Sequence, residues 1–310
     1  MNESAAVALV DWGTSNLRVW LVDRTSQVLG ERQSAEGMGS LTPDRFAGVL
    51  EAHLAALGAS DDLPVVVVGM AGARAGWIEA PYVETPAPLG DLFRQAVAAP
   101  GVSRRVHILP GVCQRQAGGE DVMRGEETQL LGAVEAGLRD ALFCMPGTHS
   151  KWVSLEDGRV AHFNTVMTGE LFQLISRQSI LRLSIGEGRA DDHHPAFGSA
   201  VEEALTADFS LTTRLFSIRA RALLAGGDEA SAAARLSGLL IGAEVAAMRT
   251  FIGPDRRVQL IGSGALNDLY SQALVLAGAE PVPLDGGALV RRGLFAAAKA
   301  LYPERFAETA

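Results

Sequence analysis

A chain of 310 residues, 48% of them hydrophobic, has room for one large or two medium domains with packed cores. Its net charge of -9 opposes binding to nucleic-acid phosphates and leaves small-molecule chemistry as the expected work. No apolar run reaches the roughly 18–20 residues of a membrane span and no signal-type segment opens the chain, so a cytoplasmic protein without a membrane partner is expected.

In chain order, Val7–Val10, Leu17–Val22 and Val28–Arg32 form three short apolar runs separated by polar turns, the pattern of an antiparallel meander. Phe46, Val49, Leu50, Leu54 and Leu57 then recur at helical spacing, and Val65–Val68 is a continuous apolar strand of the buried, parallel type. Leu89, Leu92, Phe93, Ala96 and Val97 predict a second helix before a strand at Val106–Leu109, giving βββαβαβ. A polar stretch at Gly118–Asp121 marks the expected boundary between domains 1–115 and 116–310. Past a helix over Glu126–Leu138, strands at Ala141–Cys144, Lys151–Leu155 and Val160–Phe163 repeat the opening meander. Helical periodicity follows over 169–180, 200–207, 211–224 and 232–248, as insertions in the second lobe. Val258–Ile261, a helix over Leu266–Leu276, a strand at Pro281–Pro283 and a helix over Gly286–Leu301 close the chain. Cys113 and Cys144 lack metal-ligand spacing and read as buried thiols.

Three glycine turns carry the candidate chemistry. The first joins Asp11 to Gly13, Thr14, Ser15 and Arg18: glycine lets the backbone approach phosphate oxygens, hydroxyls and N–H groups donate to them, and Asp11 is an oxygen ligand for Mg2+. The second, Gly147, Thr148, His149 and Lys151, repeats that arrangement with Met145 in place of Asp11, so one metal carboxylate remains. Lys151 is one of two lysines in the chain, and its compact ammonium suits phosphate; His149 donates to phosphate or bonds the backbone. The third, Gly262-Ser263-Gly264 with Asn267, follows a strand and opens a helix but lacks the third glycine of a dinucleotide fingerprint. Asp191-Asp192-His193-His194 is read as a polar loop, since neighbouring side chains on an extended segment rarely close one metal site.

The order and separation of the turns resemble the two phosphate turns and the adenosine turn of the acetate kinase, actin and hexokinase superfamily. Gly72-Ala-Arg74-Ala-Gly76-Trp77-Ile-Glu79-Ala-Pro-Tyr82, Met123-Arg-Gly-Glu126-Glu-Thr-Gln129, Pro146-Gly-Thr-His-Ser-Lys-Trp152 and Met167-Thr-Gly-Glu-Leu-Phe172 are similar to the 2-dehydro-3-deoxygalactonokinase family. That resemblance implies an α/β fold of two ribonuclease H-like domains around an interdomain cleft. It also implies ATP with Mg2+ as cofactors and phosphorylation of 2-dehydro-3-deoxy-D-galactonate at its 6-hydroxyl, in D-galactonate catabolism. The gluconate epimer as substrate, or a non-catalytic sugar sensor, are the alternatives. Glu126 falls where such kinases carry a carboxylate base, with Glu127 one position away. The adenosine would lie at Gly262, Ser263, Gly264 and Asn267. For the acidic sugar, Arg74 is a bidentate candidate for the carboxylate, Trp77 for packing on the carbon chain, and Glu79 and Tyr82 for the remaining contacts. Whether the chain forms a homodimer stays open.

Overall fold

The computed structural model describes residues 5–307, so the outermost ends of the two expected domains lie outside it. The opening meander forms as expected, with β1 (Val7–Trp12), β2 (Leu17–Val22) and β3 (Val28–Ser34) antiparallel. Helix α1 (Phe46–Ala56) leads to β4 (Val65–Gly69), which pairs parallel with β1. Strands β5 (Tyr82–Glu84), β6 (Ala87–Pro88), β7 (Val97–Ala98), β8 (Val106–Ile108), β9 (Gly111–Gln114) and β10 (Asp121–Met123) precede α2 (Glu126–Glu135). The main sheet runs β3-β2-β1-β4-β8-β7, and β10-β9-β5 form a small second sheet.

The unbroken valine run of β4 is buried on both faces, as its composition requires. Val65 and Val67 pack with α1, while Val66 and Val68 pack with Val290 and Leu294 from the last helix. Successive side chains of a strand point to opposite faces, so one run feeds two hydrophobic layers.

The helix expected around Leu89–Val97 is instead a 3-10 helix over Leu89–Gln95 followed by β7. Only Leu89 and Leu92 of that helix are buried, and a three-residue repeat aligns these two positions on one side. Gly90 weakens the longer α-helical alternative.

The second meander consists of β11 (Ala141–Met145), β12 (Ser150–Glu156) and β13 (Arg159–Val166). Next come α3 (Thr168–Gln178), α4 (Arg182–Ile185), α5 (Pro195–Ala204), α6 (Leu211–Ala225) and α7 (Glu229–Met248), then β14 (Arg257–Leu260), α8 (Gly264–Leu276), β15 (Glu280–Pro283) and α9 (Gly286–Leu301). The strand order is β15-β14-β11-β12-β13, and the tip of β13 pairs with β6.

The chain groups into two compact units, one of residues 1–140, 155–162 and 286–310, the other of 141–154 and 163–285. The division therefore falls after Asp140, not at 115, and α9 returns to the first unit. Contact between α2 and α9 accounts for this: a Cβ on Gly132 would stand 2.0 Å from the Leu289 carbonyl, and one on Gly293 would stand 2.0 Å from that of Thr128. Two glycines let these backbones touch and fasten the C-terminal helix to the first unit.

Helix α7, continued to Phe251, is long and apolar enough by composition to cross a membrane, contrary to the reading of the sequence alone. It lies mostly buried among α3, α5, α6 and α8, so its apolar surface serves the core of the second unit. The polar loop at Asp191–His194 caps α5, His194 Nδ1 accepting from the Ala196 N–H at 3.1 Å. Among the described residues no cluster of three or more His, Cys, Asp or Glu side chains could hold a metal.

Candidate active site

Asp11 lies near the end of β1 opposite Arg18 on β2. The turn between them closes through Gly13 N–H to the Asn16 carbonyl at 2.9 Å. Its outer carbonyls are tied back, Gly13 O accepting from Met38 N–H and Thr14 O from Gly39 N–H, both at 2.9 Å. Gly37 permits that brace, because a Cβ there would come within 2.3 Å of Thr14 O. Thr14 and Ser15 are left exposed. Only the fold brings Gly37 to this turn; nothing near it in sequence signals the contact.

Two glycines place Glu126 beside Asp11. Gly69, at the end of β4, has φ +95°, and a Cβ on it would meet Trp12 O at 2.6 Å. Gly125, the residue before α2, has φ +112° and its Cβ position is 3.8 Å from Gly69 Cα. Glu126 opens α2 half-buried, Oε2 accepting from the Arg124 N–H at 3.1 Å. Burial raises the Asp11 carboxyl above the usual range, Arg18 opposes this, and the negative charge of Glu126 adds to it. Paired carboxylates of this kind suit a divalent cation, whose charge relieves their repulsion, and oxygen is the ligand magnesium prefers.

Glu127 is a different group from its neighbour. It is 0% exposed, accepts from the Gly125 N–H at 2.7 Å, and lies 3.1 Å from the Thr128 hydroxyl. Burial, and then the charge of Glu126, push its carboxyl up to about 8. Of the two glutamates only Glu126 has surface to meet a ligand.

Along the loop after β4, Arg74 and Glu79 are exposed and Tyr82 is half-buried on β5. Trp77 departs from the expected sugar-packing position: it is 6% exposed, its ring lies 6.0 Å from Phe46 and 6.1 Å from Trp12, and its indole N–H donates to Pro100 O. The amphipathic ring found an apolar core and a carbonyl there, leaving no face for a sugar. Arg124, which the sequence reading passed over, lies across Tyr82 with its guanidinium carbon 4.3 Å from the ring centroid.

In the second unit, Gly147 and Thr148 turn between β11 and β12. A Cβ on Gly169 would stand 2.3 Å from Gly147 O, and Glu170 N–H donates to Thr148 O at 2.9 Å, so the start of α3 sits directly on the turn. His149 Nε2 and Glu170 Oε2 are 2.5 Å apart across the same contact. Lys151 is buried, 5% exposed, with Nζ donating to His149 O at 3.3 Å. It underlies the turn instead of projecting from it.

A cavity of about 310 Å³ opens beside this turn, lined by Gly147, Thr148 and Gly169 at one end and by Leu266, Leu269 and Tyr270 of α8 at the other. Gly262, Ser263, Gly264 and Asn267 do not line it themselves. Gly264, with φ +52°, starts α8, and Asn267 Oδ1 is buried without a hydrogen-bond partner, 2.9 Å from where a Cβ of Gly262 would lie.

Below the cavity lies Glu244 of α7, 2% exposed. It accepts from the Trp152 indole N–H at 2.8 Å, the Tyr270 hydroxyl at 2.6 Å and the Thr168 hydroxyl. Burial raises its carboxyl while the donors from Thr168, Tyr270 and Trp152 hold it down. One carboxylate thus joins β12, α3 and α8, the elements that carry the turn and the cavity.

The chain that carries these turns belongs to the carbohydrate kinases. The model of the 2-keto-3-deoxy-galactonokinase family matches residues 11–297, and the chain belongs to that family. It is 47% identical to a probable 2-dehydro-3-deoxygalactonokinase of Rhizobium meliloti over 98% of this chain and 100% of the relative. Against the 2-dehydro-3-deoxygalactonokinase of Escherichia coli identity is 35%, over 96% and 99% of the two chains. The crystal structure of a candidate 2-dehydro-3-deoxygalactonokinase from Sinorhizobium meliloti superposes with a TM-score of 0.92 at 47% identity, covering 96% of this chain and 99% of that one.

Proposed function

We propose that this protein transfers the γ-phosphoryl group of ATP to the 6-hydroxyl of 2-dehydro-3-deoxy-D-galactonate, giving 2-dehydro-3-deoxy-6-phospho-D-galactonate and ADP. The observation that carries the reading is the half-buried carboxylate of Glu126, placed by two positive-φ glycines beside Asp11 in a chain of this family.

Glu126 orients the 6-hydroxyl and takes its proton as the O6–P bond forms; the bond from the γ-phosphorus to the bridging oxygen breaks and ADP leaves with the electron pair. The proton on Glu126 returns to solvent. In the first unit Gly13, Thr14, Ser15 and Arg18 donate to phosphate; in the second, Gly147 and Thr148 form a phosphate turn of the same kind, with Lys151 adding positive charge from beneath it. Magnesium, when bound, neutralises phosphate charge, and Asp11 holds it directly or through water. The apolar cavity between the second turn and α8 suits the adenosine, with Gly262, Ser263, Gly264 and Asn267 shaping the start of that helix. Arg74, Glu79 and Tyr82 border the sugar.

ADP formation measured with the galactonate-derived sugar, with its gluconate-derived epimer and with no sugar tests the reading. Turnover with the first is expected. Faster turnover with the epimer would reassign the substrate, and equal ADP release without sugar would make the protein an ATPase. In Glu126→Gln, turnover should fall by about 100-fold or more with ATP binding kept; wild-type rates would remove Glu126 as the base.

A further inference from the structure

The substrate class proposed above carries one carboxylate, and the exposed Arg74 is a weak reader of it, because a solvated guanidinium gains little from an ion pair in water. Arg124 is in a different condition. Its Nη2 donates to Ala80 O at 2.8 Å and its plane rests on Tyr82, yet Nε and Nη1 are buried without any hydrogen-bond partner. Among the described residues no carboxylate hydrogen-bonds these two atoms; Glu127 feels the charge of Arg124, but burial keeps that carboxyl protonated up to about 8. Charged donors are rarely left this way, since a buried cation is ordinarily matched by an anion. Gly72 packs against the guanidinium, a Cβ there falling 2.9 Å from Nη1. The backbone of the same residue holds the carboxylate of Glu126.

We propose that Arg124 is the residue that reads the carboxylate of the acidic sugar, pairing its two idle donors with the two carboxylate oxygens. The fork of a guanidinium matches a carboxylate bidentately, which no lysine or amide reproduces. Neither idle donor meets solvent in this arrangement, so pairing requires the guanidinium to pivot away from Gly72. Its anchorage through a single hydrogen bond and a ring face makes that movement inexpensive. Because Arg124 grips Glu126 through its main chain and the substrate through its side chain, the base and the bound end of the sugar share one rigid reference. This assignment rests on the reading of the protein as a sugar-acid kinase.

The test compares kcat/KM for the sugar acid and for its neutral C1 amide. Wild type should prefer the acid by about 100-fold or more, and Arg124→Met should bring the preference to within about threefold, with the KM for ATP unchanged. Arg124→Lys, which keeps the charge and loses the fork, should fall between them. A wild-type enzyme that accepts acid and amide equally overturns the assignment on unmutated protein, whatever the folding of the variants. So does wild-type discrimination in either variant, or collapse of the preference in Arg74→Met and not at position 124. A wild type that phosphorylates no 2-dehydro-3-deoxy sugar acid removes the functional reading itself, a result distinct from all of these.

Discussion

Replacing Glu127 by Gln should remove a pH dependence from the stability of this protein. In the native state the carboxyl keeps its proton up to about 8, whereas the unfolded chain releases it near 4.5. Between those values the native state binds more protons, so the stability contributed by the buried acid is fully present below about pH 4.5 and is lost as pH rises through 8. At about 1.4 kcal/mol per pH unit the difference between 4.5 and about 8 has a ceiling of about 5 kcal/mol. Glutamine copies the protonated form: its oxygen accepts from Gly125 N–H, and its amide donates to the Thr128 hydroxyl now beside Glu127 Oε1. Wild type and Glu127→Gln should therefore match within about 0.5 kcal/mol near pH 4, and the variant should gain about 3–5 kcal/mol relative to wild type by pH 9. Urea titrations across that range, followed by emission from the buried Trp12, Trp20 and Trp77, measure it. Parallel pH profiles for the two proteins would refute the reasoning, because an ionised Glu127 would then be as well accommodated as a neutral one.

Glu244→Gln sets an amide N–H₂ against groups that all donate to the carboxylate, so a loss of about 1–3 kcal/mol in thermal unfolding is expected together with a raised KM for ATP and an unchanged KM for the sugar. Equal changes in both KM values would mean general loosening. Gly169→Ala drives a methyl into Gly147 O and should raise the KM for ATP about tenfold or more; an unaltered value in steady-state kinetics would show that the turn yields without consequence. In Asp11→Asn, titration of magnesium should show a requirement about 10–100-fold higher, and an unmoved midpoint would take the ion away from Asp11.

The meander strands, the double-sided burial of Val65–Val68 and the helices of the second unit were legible in the sequence because each follows from hydrophobic period and turn chemistry, which are local properties. The glycine turns were legible for the same reason, as was the carboxylate at the start of α2, narrowed to Glu126 or Glu127. Tertiary structure set those two apart, burying Glu127 completely and leaving Glu126 half-exposed. It also sent Trp77 into the core, folded Lys151 under its turn, and returned α9 to the first unit across Gly132 and Gly293. The difference has one cause: a residue type and its spacing state what a side chain can do, whereas burial and partnership depend on segments far apart in the chain. Gly37–Gly39 bracing the first turn, Glu244 beneath the second and Arg124 across Tyr82 are contacts of that kind.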